Sequence, residues 1–133
     1  MSDDNRRLAR RWFEEMWNQR NAAVIDEVLH ADACGHMQGV ETRGHDDFKR
    51  AREGLLDAFP DFHLEIEDMV AEGDNVVVRW RARGSHRGAG LGVPASNKPV
   101  DFGGMTWLRF ADGKLVEGWD HWNMGGLMQF LTT

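Results

Sequence analysis

Asp120 is the residue of this sequence whose setting best suits proton chemistry. It sits in Gly-Trp-Asp-His-Trp-Asn, residues 118–123, an aromatic-rich run near the C-terminus. Strand alternation would place Val116, Gly118, Asp120 and Trp122 on one face and Glu117, Trp119, His121 and Asn123 on the other. The preceding run offers Phe102, Gly104, Thr106, Leu108 and Phe110 on its more apolar face. A carboxylate enclosed with those side chains loses solvation, which disfavours its charged form and raises its pKa. A group so tuned can remove a proton α to a carbonyl and return it elsewhere. The competing reading is an exposed aspartate at a strand end, or one paired with an arginine.

The 133 residues include six tryptophans and no tyrosine. Several flat, bulky indoles can line a pocket for a planar ligand, although for any single tryptophan core or interface packing is the commoner use. With no phenol present, a developing oxyanion needs another donor, and His36 and His86 are the candidates, each also readable as a polar loop histidine. Trp122, Thr106, Gly104, Trp80 and Phe102 form the expected substrate-facing set. His30, Cys34, His36 and His45 lie near one another in sequence but match no zinc spacing, so no metal is expected. Gly88 to Gly92 is followed by Val93-Pro94 and a strand rather than a helix, so it reads as a connecting loop or flexible lid and not a phosphate cradle.

The elements that must position these groups follow from the hydrophobic period. Asp3 and Asp4 can cap a first helix with Leu8, Ala9, Trp12, Phe13, Met16 and Trp17 on one face. A short helix carries Val24, Ile25, Val28 and Leu29 inward, and His30 to Gly44 reads as irregular with one short strand near Cys34 to Met37. A third helix runs from Gly44 until Pro60 stops it. The period then changes to two. Phe62, Leu64 and Ile66 alternate, the phase slips near Glu67 and Asp68 as at a bulge, and Glu72 to Asn75 turns into Val76, Val78, Trp80 and Ala82. Arg79, Arg81 and Arg83 take the opposite, wet face of that strand. After a loop from Ser85 to Pro99, two strands join at Asp112-Gly113, Gly125-Gly126 breaks the second, and residues 127–131 form an apolar tail. Helices followed by a meander predict a single α+β domain over residues 1–133, with helices packed on one face of a curved, mostly antiparallel sheet.

Composition narrows the partners. A net charge of −6 argues against general nucleic-acid binding, and no apolar run is long enough for a membrane span. The polar first residues and the single cysteine, Cys34, make the cytoplasm the expected location.

With these residues placed, the sequence resembles the SnoaL-like polyketide cyclases, a branch of the NTF2-like cone superfamily. The resemblance spans nearly the whole chain. It rests on GHMQG at Gly35–Gly39, RGHDDF before the third helix, the run from Ala58 to Gly88, GVPASNKPVDFGG, and RFADGKLVEGWDHWN. It implies an NTF2-like cone that forms a homodimer or higher homo-oligomer through its sheet, with no metal or organic cofactor. It also implies an aldol-type cyclase or isomerase for a small hydrophobic or planar carbonyl compound. An aspartate following a DGK stretch is the acid–base of such cyclases, and that position falls on Asp120. His86, in GSHRG, matches a family histidine. Where the cyclases place a glutamine and a histidine two residues apart, this chain has Gly104 and Thr106, which implies a larger, more neutral pocket and a different substrate.

Two other classes compete. A ligand-binding or dimerisation module without catalysis would have a filled cone. An epoxide-hydrolase type would need Arg79 or Arg81 inside the pocket with Asp120.

Overall fold

The computed structural model describes residues 2–133. Helix α1 (Ser2–Arg11) continues without a break into a π-helical segment, Trp12–Asn18. Asp3 and Asp4 lie in the first turn of α1, where the helix dipole favours acidic side chains. In the π segment the adjacent pairs Trp12-Phe13 and Met16-Trp17 are all buried. The wider i→i+5 winding gathers these four side chains onto one face. Helix α2 (Ala23–Val28) then leads straight into the sheet.

The sheet has six strands, β1 (Leu29–Met37), β2 (Val40–Arg43), β3 (His63–Glu72), β4 (Asn75–Ser85), β5 (Pro99–Ala111) and β6 (Lys114–Trp122). Their spatial order is β2-β1-β6-β5-β4-β3, antiparallel throughout except for β1 against β6. Helix α3 (Gly44–Ala58) packs on β1 and β2, and α4 (Met124–Leu131) ends the chain. The expected bulge is present, as a register shift between Ile66 and Asp68 opposite β4, and Asp68 is exposed.

Two segments differ from the sequence reading. Residues 29–43 form a hairpin, not an irregular stretch. Burial along Leu29–Met37 does not alternate, and Cys34 to His36 are held extended by pairing on both edges, with β2 and β6. Gly125-Gly126 does not break the chain into a tail but opens α4, because Asn123 Oδ1 accepts the Gly126 N–H and caps the helix.

The concave face of the sheet and the helices share one core, from Trp12, Met16 and Ile25 through Phe59 to Val78, Leu108 and Phe110. Phe48 of α3 meets Trp12 with ring centroids 5.0 Å apart. The architecture is that of an NTF2-like α+β cone.

Candidate functional site

Cross-strand register assembles the site. Thr106 of β5 stands opposite Asp120 of β6, and Gly104 stands opposite both Trp122 of β6 and Trp80 of β4. The Trp80 indole N–H donates to Thr106 Oγ1 at 2.9 Å, and the Thr106 hydroxyl donates to Asp120 Oδ1 at 2.5 Å. A hydroxyl has one proton. With the indole N–H aimed at its oxygen, that proton is committed to the carboxylate.

Asp120 faces a cavity of about 320 Å³ rather than bulk water. Burial against the apolar wall pushes its pKa up to about 6, and the Thr106 hydrogen bond, which favours the charged form, opposes part of that rise. The wall includes Trp12, Phe13 and Trp17 of the N-terminal helix, Phe48 of α3, Phe62 and Leu64 at β3, and Leu108 of β5. Trp12, Trp17, Trp80 and Trp122 line it, four of the six tryptophans. Phe102 packs on Trp122 with centroids 5.0 Å apart and meets Trp80 edge-on at 6.0 Å. The exposed lining residues Val40, Arg50 and Gly90 mark the opening. There the loop after β4 lies on α3. A side chain at Gly90 would put its Cβ 2.0 Å from the Gly54 carbonyl oxygen, so only glycine allows the approach.

Of the residues expected at the site, the structure gathers Asp120, Thr106, Trp122, Trp80 and Phe102 around the cavity. Three are placed differently. Gly104 does not enlarge the pocket, because the Trp80 ring fills the space beside it: a Cβ at Gly104 would lie 2.6 Å from Trp80 Cζ2.

His36 lies on the outer face of β1, stacked on Trp119 at 5.5 Å. Its Nδ1 meets Glu41 at 2.5 Å and its Nε2 meets Glu117 at 2.7 Å. These carboxylates, Glu117 foremost, raise the His36 pKa. Register explains the placement: His36 stands beside Trp119 on the outer face of β6, while its neighbours Gly35 and Met37 line the cavity.

His86, the first residue after β4, is fully buried against Phe59. Its Nδ1 accepts the Ser96 backbone N–H at 3.1 Å, which leaves the imidazole proton on Nε2. It does not line the cavity, so neither histidine reaches Asp120 from this arrangement. Arg79, Arg81 and Arg83 are on the outer face, where Arg79 pairs with Glu67 and Arg81 and Arg83 with Asp101. None bridges to Asp120, as epoxide-hydrolase chemistry would require.

From the hydrophobic period Trp12, Trp17 and Phe62 were legible as core. Their second use, as wall, had one signal in the sequence, the excess of tryptophan.

The sequence profile of SnoaL-like polyketide cyclases matches residues 7–131. The chain belongs to that family. Among solved structures, a candidate SnoaL-like polyketide cyclase from Jannaschia sp. CCS1 is 26% identical, with a TM-score of 0.93 over 99% of this chain and 94% of that one. AclR, a candidate hydroxylase from Streptomyces galilaeus, is 30% identical, with a TM-score of 0.85 over 99% of this chain and 98% of that one. IdmH, a candidate polyketide cyclase from Streptomyces antibioticus, shares the fold at 22% identity, with a TM-score of 0.82 over 97% of this chain and 99% of that one. No curated protein matches the chain significantly. Within this SnoaL-like chain the carboxylate on β6 stands in an apolar chamber whose polar groups near it are the Thr106 hydroxyl and, through it, the Trp80 indole.

Proposed function

We infer that the protein is a cofactor-independent polyketide cyclase-like enzyme acting on a planar, largely apolar carbonyl compound, with Asp120 as its general acid–base. The observation that carries this reading is a carboxylate hydrogen-bonded to Thr106 and facing an aromatic-walled cavity, where burial pushes its pKa up to about 6. At neutral pH such a group is mostly ionised and still basic enough to take a proton from carbon activated by a flanking carbonyl. The C–H proton passes to Asp120, and the resulting enolate carbon attacks a second carbonyl of the same molecule. A C–C bond forms as the attacked C=O opens to an alkoxide, and the alkoxide takes the proton back from Asp120, which restores the carboxylate. Conjugation in the substrate spreads the negative charge of the enolate, which fits a wall that is mostly aromatic.

The test is hydrogen–deuterium exchange at the activated carbon of a planar aromatic 1,3-dicarbonyl compound in deuterated buffer. The wild-type protein should accelerate exchange, and Asp120→Asn should lose at least a hundredfold of that acceleration, the usual worth of a general base. Equal exchange by both proteins would sink the reading.

The similarity to AclR favours a second outcome for the same enolate. The enolate carbon would add dioxygen and a proton to give a hydroperoxide, which a thiol reductant such as glutathione would reduce to the alcohol and water, the two thiols leaving as a disulfide. Anaerobic assay separates the two, since ring closure continues without oxygen and hydroxylation stops.

The reading includes a homodimer. Val70, Met105 and Trp107 are exposed on the outer face of β3 and β5, where Val70, Val77, Trp107 and Trp119 follow one another across four strands. A second copy packed on this row would remove two tryptophans from water.

A further inference from the structure

The Trp80 indole approaches Thr106 because residue 104 is glycine. The ring lies over β5 at that point, its Cζ2 where a side chain at 104 would begin. Both Trp80 and Thr106 are buried, at 6% and 5% exposure, so neither exchanges its partner for water at ordinary cost. Trp80 has one donor and no acceptor, and it spends that donor on Thr106 Oγ1. Thr106 in turn spends its only proton on Asp120 Oδ1. Among the described residues no other side chain hydrogen-bonds to Asp120. The remaining titratable or charged side chains lining the cavity are Cys34 on β1 and Arg50 on α3, the latter paired with Asp47 at the opening; His121 adjoins Asp120 on β6 but points to the other face.

We propose that Trp80, seated over Gly104, is a positioning residue for Asp120: it fixes the direction of the Thr106 hydroxyl, which occupies Oδ1 and leaves Oδ2 to exchange a proton with substrate. This deepens, and rests on, the reading of Asp120 as acid–base. Linked donors polarise one another, so the indole N–H makes Thr106 a stronger donor than it would be alone. Its loss weakens the hold on the carboxylate without touching the carboxylate itself. A single oxygen that gives and takes the proton also restricts both transfers to one side of the bound substrate.

The test is a carboxyl-carbon NMR titration of Asp120 in the whole protein, which needs neither substrate nor turnover. It therefore fails or succeeds independently of the exchange assay above. Thr106→Val should raise the Asp120 midpoint by about one pH unit, the size expected for one hydrogen bond to a charged group. Trp80→Phe keeps an aromatic ring, removes the N–H and should move the midpoint in the same direction by a smaller amount. A midpoint that moves in Thr106→Val and stays at the wild-type value in Trp80→Phe overturns the role of Trp80. In the wild-type protein, the Trp80 indole N–H resonance should titrate with the same midpoint as the Asp120 carboxyl. An indole resonance indifferent to that titration also overturns the proposal, and this readout survives if a variant fails to fold.

Discussion

Thr106 and Asp120 face each other across β5 and β6, joined by a hydrogen bond of 2.5 Å in which the hydroxyl donates and the carboxylate accepts. Two opposing influences therefore act on one titration. Burial favours the neutral acid, the hydroxyl favours the ion, and burial wins.

That balance carries a stability consequence. The folded pKa, about 6, lies above the ordinary 3.8, so the native state binds the proton more tightly than the unfolded chain. Stability falls as pH rises between about 4 and 6, and the cost of the buried ion, up to about 3 kcal/mol, is fully present above that window. Asp120→Asn should accordingly raise the melting temperature by several degrees at pH 8 and leave it nearly unchanged at pH 4, followed by calorimetry. A lower melting temperature at pH 8 would contradict this.

Gly104→Ala tests the fit of the Trp80 ring. The new Cβ would lie 2.6 Å from Cζ2 and 2.8 Å from both the His121 carbonyl oxygen and Trp122 Cβ. One of those contacts is backbone, so the strands must shift as well as the indole. A destabilisation of about 1–3 kcal/mol is expected by denaturant titration. The Trp80 indole resonance should lose its hydrogen-bonded position.

His36 has the opposite kind of environment, on the outer face between Glu41 and Glu117, and its pKa is raised. For a histidine the charged form is the protonated one. Its contribution is complete below the unfolded value of 6.5 and is lost as pH rises through the higher folded value. His36→Gln should flatten the decline of melting temperature with pH above 6.5.

Four tryptophans on the cavity wall make the protein its own reporter. A planar aromatic dicarbonyl compound entering the cavity should quench intrinsic fluorescence saturably. Asp120→Asn should retain that quenching, because the aromatic wall is untouched. Loss of binding in this variant would assign Asp120 to affinity rather than to proton transfer.

For the proposed dimer, Trp107→Glu places a charge within that outer-face row. Analytical ultracentrifugation should show a dimer for the wild-type protein and a monomer for the variant with unchanged circular dichroism. A monomeric wild-type protein removes the dimer from the reading.

The sheet from β3 to β6 was legible because alternation, turn residues and the phase slip at Glu67 and Asp68 all act locally along the chain. β1 was not, since its extended shape comes from its neighbours and its own pattern, His-Ala-Asp-Ala-Cys-Gly-His, is ambiguous. Asp120, Thr106 and Trp122 could be set on one face by the same alternation. What could not be read was the rotamer of Trp80, which decides whether Gly104 is a hole or a seat. His36 and His86 were attractive as donors by residue type alone, yet strand phase turns one outward and the return of the loop onto Phe59 seals the other.

β6 is the sixth strand in sequence and the third in space, wedged between β1 and β5. During synthesis, the strands made earlier therefore cannot close into one sheet until the segment carrying Asp120 has left the ribosome. Before that, β1 with β2 and β3 with β4 and β5 are two separate pieces with open inner edges. Such edges invite aggregation, and pairing over long sequence distances is slow. The strand that brings the proposed acid–base is also the one that joins the halves, so a nascent chain acquires its cavity and its carboxylate in the same event. Chains stalled before residue 114 should be protease-sensitive and depend on chaperones, whereas the finished chain should not.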